Sequence, residues 1–297
     1  MIRSFGNIQI FGDSLSDVGR YHAYTRGLVF PDTVYWKGRS SNGPVWVDYV
    51  LGALGVPGDN YAFAGAPTRP PKFPYHIIFP SLQEQLEEHQ ARQEAPPPPE
   101  SLAILWIGGN NYIYSGKRMD VVSYTIGDIR TSATEILARG VQALIIANLP
   151  DLSSINFLPS GFKKEEYQER LKNFTEEHNR KLLEVIDDLG RQHPRQKIKL
   201  FDAYGMDQYL RIHSHQLGFH DLTQPCYRGR YFAVIPSQED ICPNPQVYKN
   251  WDDVHPTTRV HCYFAVQFLD TLAQAGLGEG FSKEEAMRAC TELQVGG

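Results

Sequence analysis

Three short apolar runs, each stopped by turn residues, constrain the fold of this chain more than any other feature. They are Ile8 to Phe11, Ser101 to Ile107 and Val141 to Leu149. A strand with one face in water alternates apolar and polar residues. These runs are close to continuously apolar, so they read as strands buried on both faces. Helical patterns fall between and after them. Leu82 to Arg92 places Leu82 and Leu86 inward. Val121 to Arg139 carries Ile126, Ile129, Ala133, Ile136 and Leu137 on one stripe, with Gly140 as C-cap. Lys163 to Arg191 does the same with Leu171, Phe174, Leu182 and Leu189. Strands alternating with helices make an α/β chain with a parallel sheet covered on both faces.

The remaining segments fit around that frame. Asn60 to Ala66 reads as a second strand, and Ile198 to Phe201 as a short later one. Pro44 to Leu51 reads as a short helix with Pro44 in its first turn. Ser81 reads as an N-cap with Gln85 as its capping-box partner. Tyr21 to Gly43 reads as a long aromatic loop, and Pro67 to Pro80 as irregular. Ala95 to Pro99 is a stiff connector. It is not taken as a boundary, because what precedes it is too poor in apolar residues for a core of its own. Helical pieces are expected around Met206 to His213, and a last helix from Thr258 to about Ala275. The expectation is one domain over residues 1–297.

The chain has 297 residues, 41% hydrophobic and 21% charged, enough for a substantial core. The net charge of −5 gives no reason to expect nucleic acid. No apolar run approaches the roughly 20 residues that span a bilayer. No signal peptide is visible, so the expectation is either a cytoplasmic protein or an exported one whose leader has been removed. Four cysteines, Cys226, Cys242, Cys262 and Cys290, lie in the last quarter. None forms C-x-x-C, so no zinc site is expected. Cys226 and Cys242 bracket a turn-rich stretch that a disulfide could close; four buried thiols is the alternative, and spacing leaves both open. Nothing local decides whether Cys262 and Cys290 pair.

In a parallel sheet, ligands gather outside the carboxyl ends of the strands. The first strand ends at Gly12-Asp13-Ser14-Leu15-Ser16-Asp17. Ser14 there is either a helix cap or an exposed nucleophile whose own N–H can help to hold an oxyanion. Other ends offer further donors: the Gly65 N–H and the Asn110 side-chain amide. Near the far end of the chain, Asp252 and His255 stand three residues apart in a turn before a helix. At that spacing the carboxylate can orient the imidazole, and His255 can take the Ser14 proton. Asp253 is read as a surface carboxylate. His213, His215 and His220 are read as ordinary histidines, because the cluster lacks ligand spacing. The aromatic stretch Tyr21 to Trp36 is read mainly as packing, with one or two residues on a pocket wall. Asn173-Phe174-Thr175 is a sequon on a helix that must bury Phe174, so it is read as chance.

Taken together and in this order, the blocks resemble the GDSL, or SGNH, hydrolase family from Phe11 to about Phe268. The resemblance implies a three-layer α/β/α sandwich, a parallel sheet of about five strands in the flavodoxin-like arrangement. It implies Ser14 as nucleophile, His255 as general base and acid, and Asp252 as its partner. Ser14, Gly65 and Asn110 would form the oxyanion hole, with no cofactor and no metal. One departure is visible: Asn111 stands where the third block usually has aspartate. Arg39 to Trp46, Asn148 to Asp151 and the Cys226 to Cys242 stretch resemble a secreted bacterial lipolytic branch. It includes phospholipases, lysophospholipases and glycerophospholipid:cholesterol acyltransferases. The branch implies a lysophospholipid or phospholipid substrate met as monomer, in a micelle or at a membrane surface. It also implies a Cys226–Cys242 disulfide around a loop that an activating protease nicks near Tyr227 to Arg230. The alternatives are a carbohydrate or small-ester acetylesterase, and an inactive lipid- or protein-binding relative.

Overall fold

The computed structural model describes residues 5–70, 78–92, 100–115, 118, 120–229, 237–278 and 280–293. The apolar runs are the centre of one parallel sheet. Strands β1 (Asn7–Gly12), β3 (Ser101–Trp106) and β4 (Ala143–Ala147) lie side by side, with β2 (Gly58–Asn60) outside β1 and β5 (Lys197–Phe201) outside β4. The order β2-β1-β3-β4-β5 is the flavodoxin-like one, and every neighbouring pair is parallel. Every residue of β3 and β4 is buried, as continuous apolar strands require. Gly12 ends β1 opposite Trp106, and a Cβ there would stand 2.5 Å from the Trp106 carbonyl oxygen. Only glycine lets the two strand ends approach so closely.

Helices cover the sheet in layers. Helix α3 (Leu82–Arg92) packs against α5 (Val121–Ala138), and α5 against α6 (Lys164–Gln192). Helix α2 (Trp46–Leu54) packs against α8 (Thr258–Gln274). Trp46 joins that pair to the strand ends, its ring 5.5 Å from Trp106, 5.3 Å from Phe201 and 5.1 Å from Phe268. Phe174 is buried on α6, which leaves its sequon inside a packed helix.

Several local expectations shift. The second strand is shorter and earlier than Asn60 to Ala66: the Tyr61 and Phe63 N–H groups still donate to the Ile10 and Gly12 carbonyls of β1 at 2.8 and 3.1 Å, but the alternate N–H groups go to side chains. Asn60 accepts from the Ala62 N–H, and Asp17 accepts from the Ala64 N–H. Helix α2 begins at Trp46, with Pro44 before it and Val45 as N-cap. Ser81 does cap α3, but its partner is Glu84, whose carboxylate accepts from the Ser81 N–H and hydroxyl at 2.8 Å. The aromatic loop contains a short helix α1 (Arg20–Tyr24), and α4 (Gly109–Ile113) follows β3 directly. Helix α7 (Ala203–Ile212) starts at the end of β5, capped by Asp202. Beyond it, β6 (Asp221–Pro225) pairs with β7 (Tyr248–Asn250) in a separate two-stranded sheet, and α9 (Lys283–Glu292) packs on α8.

All four cysteines are oxidised, as Cys226–Cys242 and Cys262–Cys290. The first disulfide joins the arms of the stretch between β6 and β7, and the second ties α9 to α8. Within the expected nicking segment Tyr227 is buried, Arg228 exposed and Gly229 half-buried, so Arg228 is the accessible position among the described residues. Arg230, residues 71–77 of the proline-rich stretch and the Ala95 to Pro99 connector lie outside the described residues. Among the described residues, no helix is long and apolar enough to cross a membrane.

Candidate active site

The turn after β1 is held by its own acidic residues. Asp13 accepts from the Leu15 N–H at 3.1 Å. Asp17 accepts from the N–H groups of Gly19, Arg20 and Tyr21, and from that of Ala64. Asp17 therefore fixes the start of α1 and also draws the Ala64-Gly65 loop alongside Ser14. Gly65 has φ +82°, and a Cβ there would collide with the Phe79 ring. Both facts demand glycine. Behind the turn, the Gln85 amide from α3 bonds both sides of Gly12. It accepts from the Gly12 N–H at 3.0 Å and donates to the Gly12 carbonyl at 2.8 Å.

The far end of the chain arrives through a second brace. Ser40 donates to the Ser14 carbonyl at 2.6 Å, and Ser41 donates to the Pro256 carbonyl at 2.9 Å. Asn42 accepts from the Thr258 N–H at 2.9 Å. Three consecutive side chains thus clamp the Ser14 turn to the turn that carries His255. His255 Nε2 lies 2.9 Å from the Ser14 hydroxyl, across 241 residues of sequence. His255 Nδ1 lies 2.9 and 3.0 Å from the two Asp252 oxygens. Asp252 and His255 are 1% and 2% exposed, so bulk water does not compete for these bonds.

Ser14 and Asn110 line the same cleft, and the Gly65 turn is tied toward it through its neighbours Ala64 and Ala66. Among the described residues, the N–H groups of Ser14 and Gly65 have no hydrogen-bond acceptor. The Asn110 amide donates to the Ala66 carbonyl at 3.1 Å, which orients it beside Gly65 and leaves a second N–H. Asn111 faces away: its oxygen accepts from the Thr68 N–H and its nitrogen donates to the Thr68 hydroxyl. The cleft before Ser14 and His255 encloses about 700 Å³, counting space open to solvent. Its apolar wall includes Ile113, Leu149, Leu152, Ile155, Val260 and Phe264.

Two carboxyl groups are displaced in opposite directions. Burial pushes Asp13 up to about 7, against the Leu15 N–H and the charge of His255. Burial also works against the Asp252 carboxylate. The charge and hydrogen bond of His255, with the N–H groups of Val254 and His255, nevertheless hold it below the usual carboxylate value. An ionised partner behind a base, and a hydroxyl before it, is the arrangement that activates a serine.

Other expectations resolve plainly. Asp253 is half-buried rather than on the surface, and its carbonyl accepts from the N–H groups of Asn156 and Phe157. His215 and His220 are exposed, and His213 bonds Gln216. Tyr21 packs with Phe30, Phe63 and Phe79. Reading the sequence missed Tyr35, whose hydroxyl donates to Asp252 Oδ2 at 2.8 Å, and also missed the roles of Ser40 and Gln85. No local pattern marks such contacts, because each joins segments far apart in the chain.

Residues 8–268 match the family described as GDSL-like lipase/acylhydrolase. The chain is 27% identical to a phosphatidylcholine-sterol acyltransferase of Aeromonas hydrophila, over 87% of each protein. It is 25% identical to a thermolabile hemolysin of Vibrio parahaemolyticus, over 88% of this chain and 62% of that protein. Among solved structures, a carbohydrate acetylesterase from Sinorhizobium meliloti superposes with a TM-score of 0.52 at 12% identity, covering 90% of this chain and 98% of that one. At that identity the likeness speaks for the fold alone.

Proposed function

The chain belongs to the GDSL-like lipase/acylhydrolase family, and we propose from that premise that it is a lipolytic serine hydrolase of the lysophospholipase or phospholipase A type. The Ser14 hydroxyl attacks the ester carbonyl while His255 Nε2 takes its proton. The N–H groups of Ser14 and Gly65 and the Asn110 amide hold the oxyanion. Collapse expels the alcohol, which takes the proton from His255 and leaves an acyl group on Ser14. His255 then activates water, or an acceptor alcohol such as a sterol, to release the acyl group. The observation that carries the reading is the Ser14–His255–Asp252 chain of contacts, 2.9 Å at each link. No cofactor or metal takes part.

The apolar wall of the cleft supports an acyl chain as the group transferred. The name of the Aeromonas relative supports acyl transfer beside hydrolysis. Exposed Tyr24, Leu28, Tyr114 and Leu158 follow the carboxyl ends of β1, β3 and β4, the edge that carries Ser14, which supports contact with a micelle or membrane surface. Two disulfides support secretion into an oxidising compartment. Nicking of the Cys226–Cys242 loop by a protease is the regulation we propose.

The test is fatty-acid release from lysophosphatidylcholine, before and after nicking, with Ser14→Ala as blank. Release that requires Ser14 and rises on nicking is expected. Release without a nicking effect removes the switch and keeps the enzyme. Turnover of acetyl esters alone would replace this reading by an acetylesterase, and release untouched by Ser14→Ala would overturn the site.

A further inference from the structure

Asp252 is held by more than the residue it serves. Its Oδ1 accepts from the N–H groups of Val254 and His255 at 2.8 and 2.7 Å, and Nδ1 of His255 spans both oxygens. All those donors belong to the same short turn. A donor from elsewhere is the Tyr35 hydroxyl, 217 residues away, on Oδ2 at 2.8 Å. A carboxylate offers about four lone-pair positions, and these contacts use them. The turn grips Oδ1; Tyr35 grips Oδ2. With both ends held, the carboxylate cannot rotate about its own axis, and the imidazole is kept in one plane.

Tyr35 is itself fixed. It is 2% exposed, its N–H bonds the Pro31 carbonyl, and its ring packs 4.9 Å from Phe30, 5.8 Å from Tyr227 and 6.4 Å from Trp251. Phe30 also presses edge-on against the His255 ring at 5.7 Å. One short segment therefore reaches both partners behind Ser14. We infer that Tyr35 is a positioning residue for Asp252, so that the reaction at Ser14 depends on a hydroxyl outside every block the family motif contains. This inference rests on the proposed roles of Ser14, Asp252 and His255.

The experiment measures the rate at which a fluorophosphonate labels Ser14, across pH, in four proteins: wild type, Tyr35→Phe, Asp252→Ala and the double variant. Labelling forms the Oγ–P bond, expels fluoride and sends the hydroxyl proton to His255, so it reads the site without knowledge of the natural substrate. Tyr35→Phe keeps the ring and removes one charge-assisted hydrogen bond, and labelling is expected to slow on the order of tenfold. The acid limb of its profile moves to higher pH, because more of the carboxylate charge then faces the imidazole and keeps it protonated. In the Asp252→Ala background the same change costs nothing further. Wild-type rate and limb for Tyr35→Phe overturn the inference alone, as does an equal loss in both backgrounds, which is the mark of a merely structural tyrosine. Label that maps elsewhere than Ser14 overturns the site reading and this inference together.

Discussion

The Thr68 hydroxyl has one proton, and Asp128 takes it at 2.7 Å. One of its two lone pairs accepts from the Asn111 amide at 2.8 Å. An aspartate at 111, usual in the third block, would set a second carboxylate against a hydroxyl with no proton to give. Asn111 is therefore matched to Asp128. Asn111→Asp is expected to cost roughly 1–3 kcal/mol in urea melts, and Asp128→Asn added to it should recover part of that loss. The exchange was visible in the sequence as a departure from pattern. Its reason was not, since Asp128 sits on a different helix, and a hydrogen-bond partner across 60 residues leaves no trace in local spacing.

Elements are where reading and structure agree most and where their differences teach most. The buried strands and the amphipathic helices follow from apolar periodicity, which burial enforces along the whole length of each element. Gln85 shows the limit. It falls on the inward stripe of α3 with Leu82 and Leu86, is fully buried, and in place of an apolar contact supplies both hydrogen bonds to Gly12. A polar residue on a buried face signals a partner without naming it, and proximity to Ser81 suggested the wrong one. Gln85→Leu keeps most of the volume and strands both backbone groups. It is expected to destabilise the protein by about 2–3 kcal/mol and to slow Ser14 labelling, checked by thermal melts beside labelling rates. Gln85→Glu is expected to be worse at high pH than at low, because an ionised carboxylate cannot donate to the Gly12 carbonyl.

Across the whole molecule, three buried histidines weaken the fold in acid. Burial lowers His178 to about 3, burial with the charge of His255 lowers His261 to about 3, and burial with Arg139 lowers His89 to about 4. Unfolded, each titrates near 6.5. The unfolded chain therefore binds more protons between about pH 6.5 and those folded values, and stability falls as pH falls through that window, by about 1.4 kcal/mol per unit for each group. Asp13, raised to about 7, works oppositely: its contribution is present in acid and is lost as pH rises from about 4 to 7. Burial raises Asp17 and Asp253 in the same sense as Asp13, so the test isolates one imidazole: His178→Asn is expected to retain more of its urea midpoint from pH 7 to pH 5 than the wild type does. The flavodoxin-like order and the meeting of Ser14 with His255 were legible because the motif blocks fix which strand ends must converge. The Cys226–Cys242 pairing was legible through the family resemblance, whereas that of Cys262 with Cys290 was not, because it depends on how α9 folds back on α8. The clamp from Ser40, Ser41 and Asn42 has a consequence in time. Ser14 and its brace are synthesised early, whereas His255 follows 241 residues after Ser14. At ordinary ribosomal speed that interval is on the order of tens of seconds. Throughout it the hydroxyl has no base, so a growing chain carries an unarmed site and is armed only when the turn before its last large helix docks.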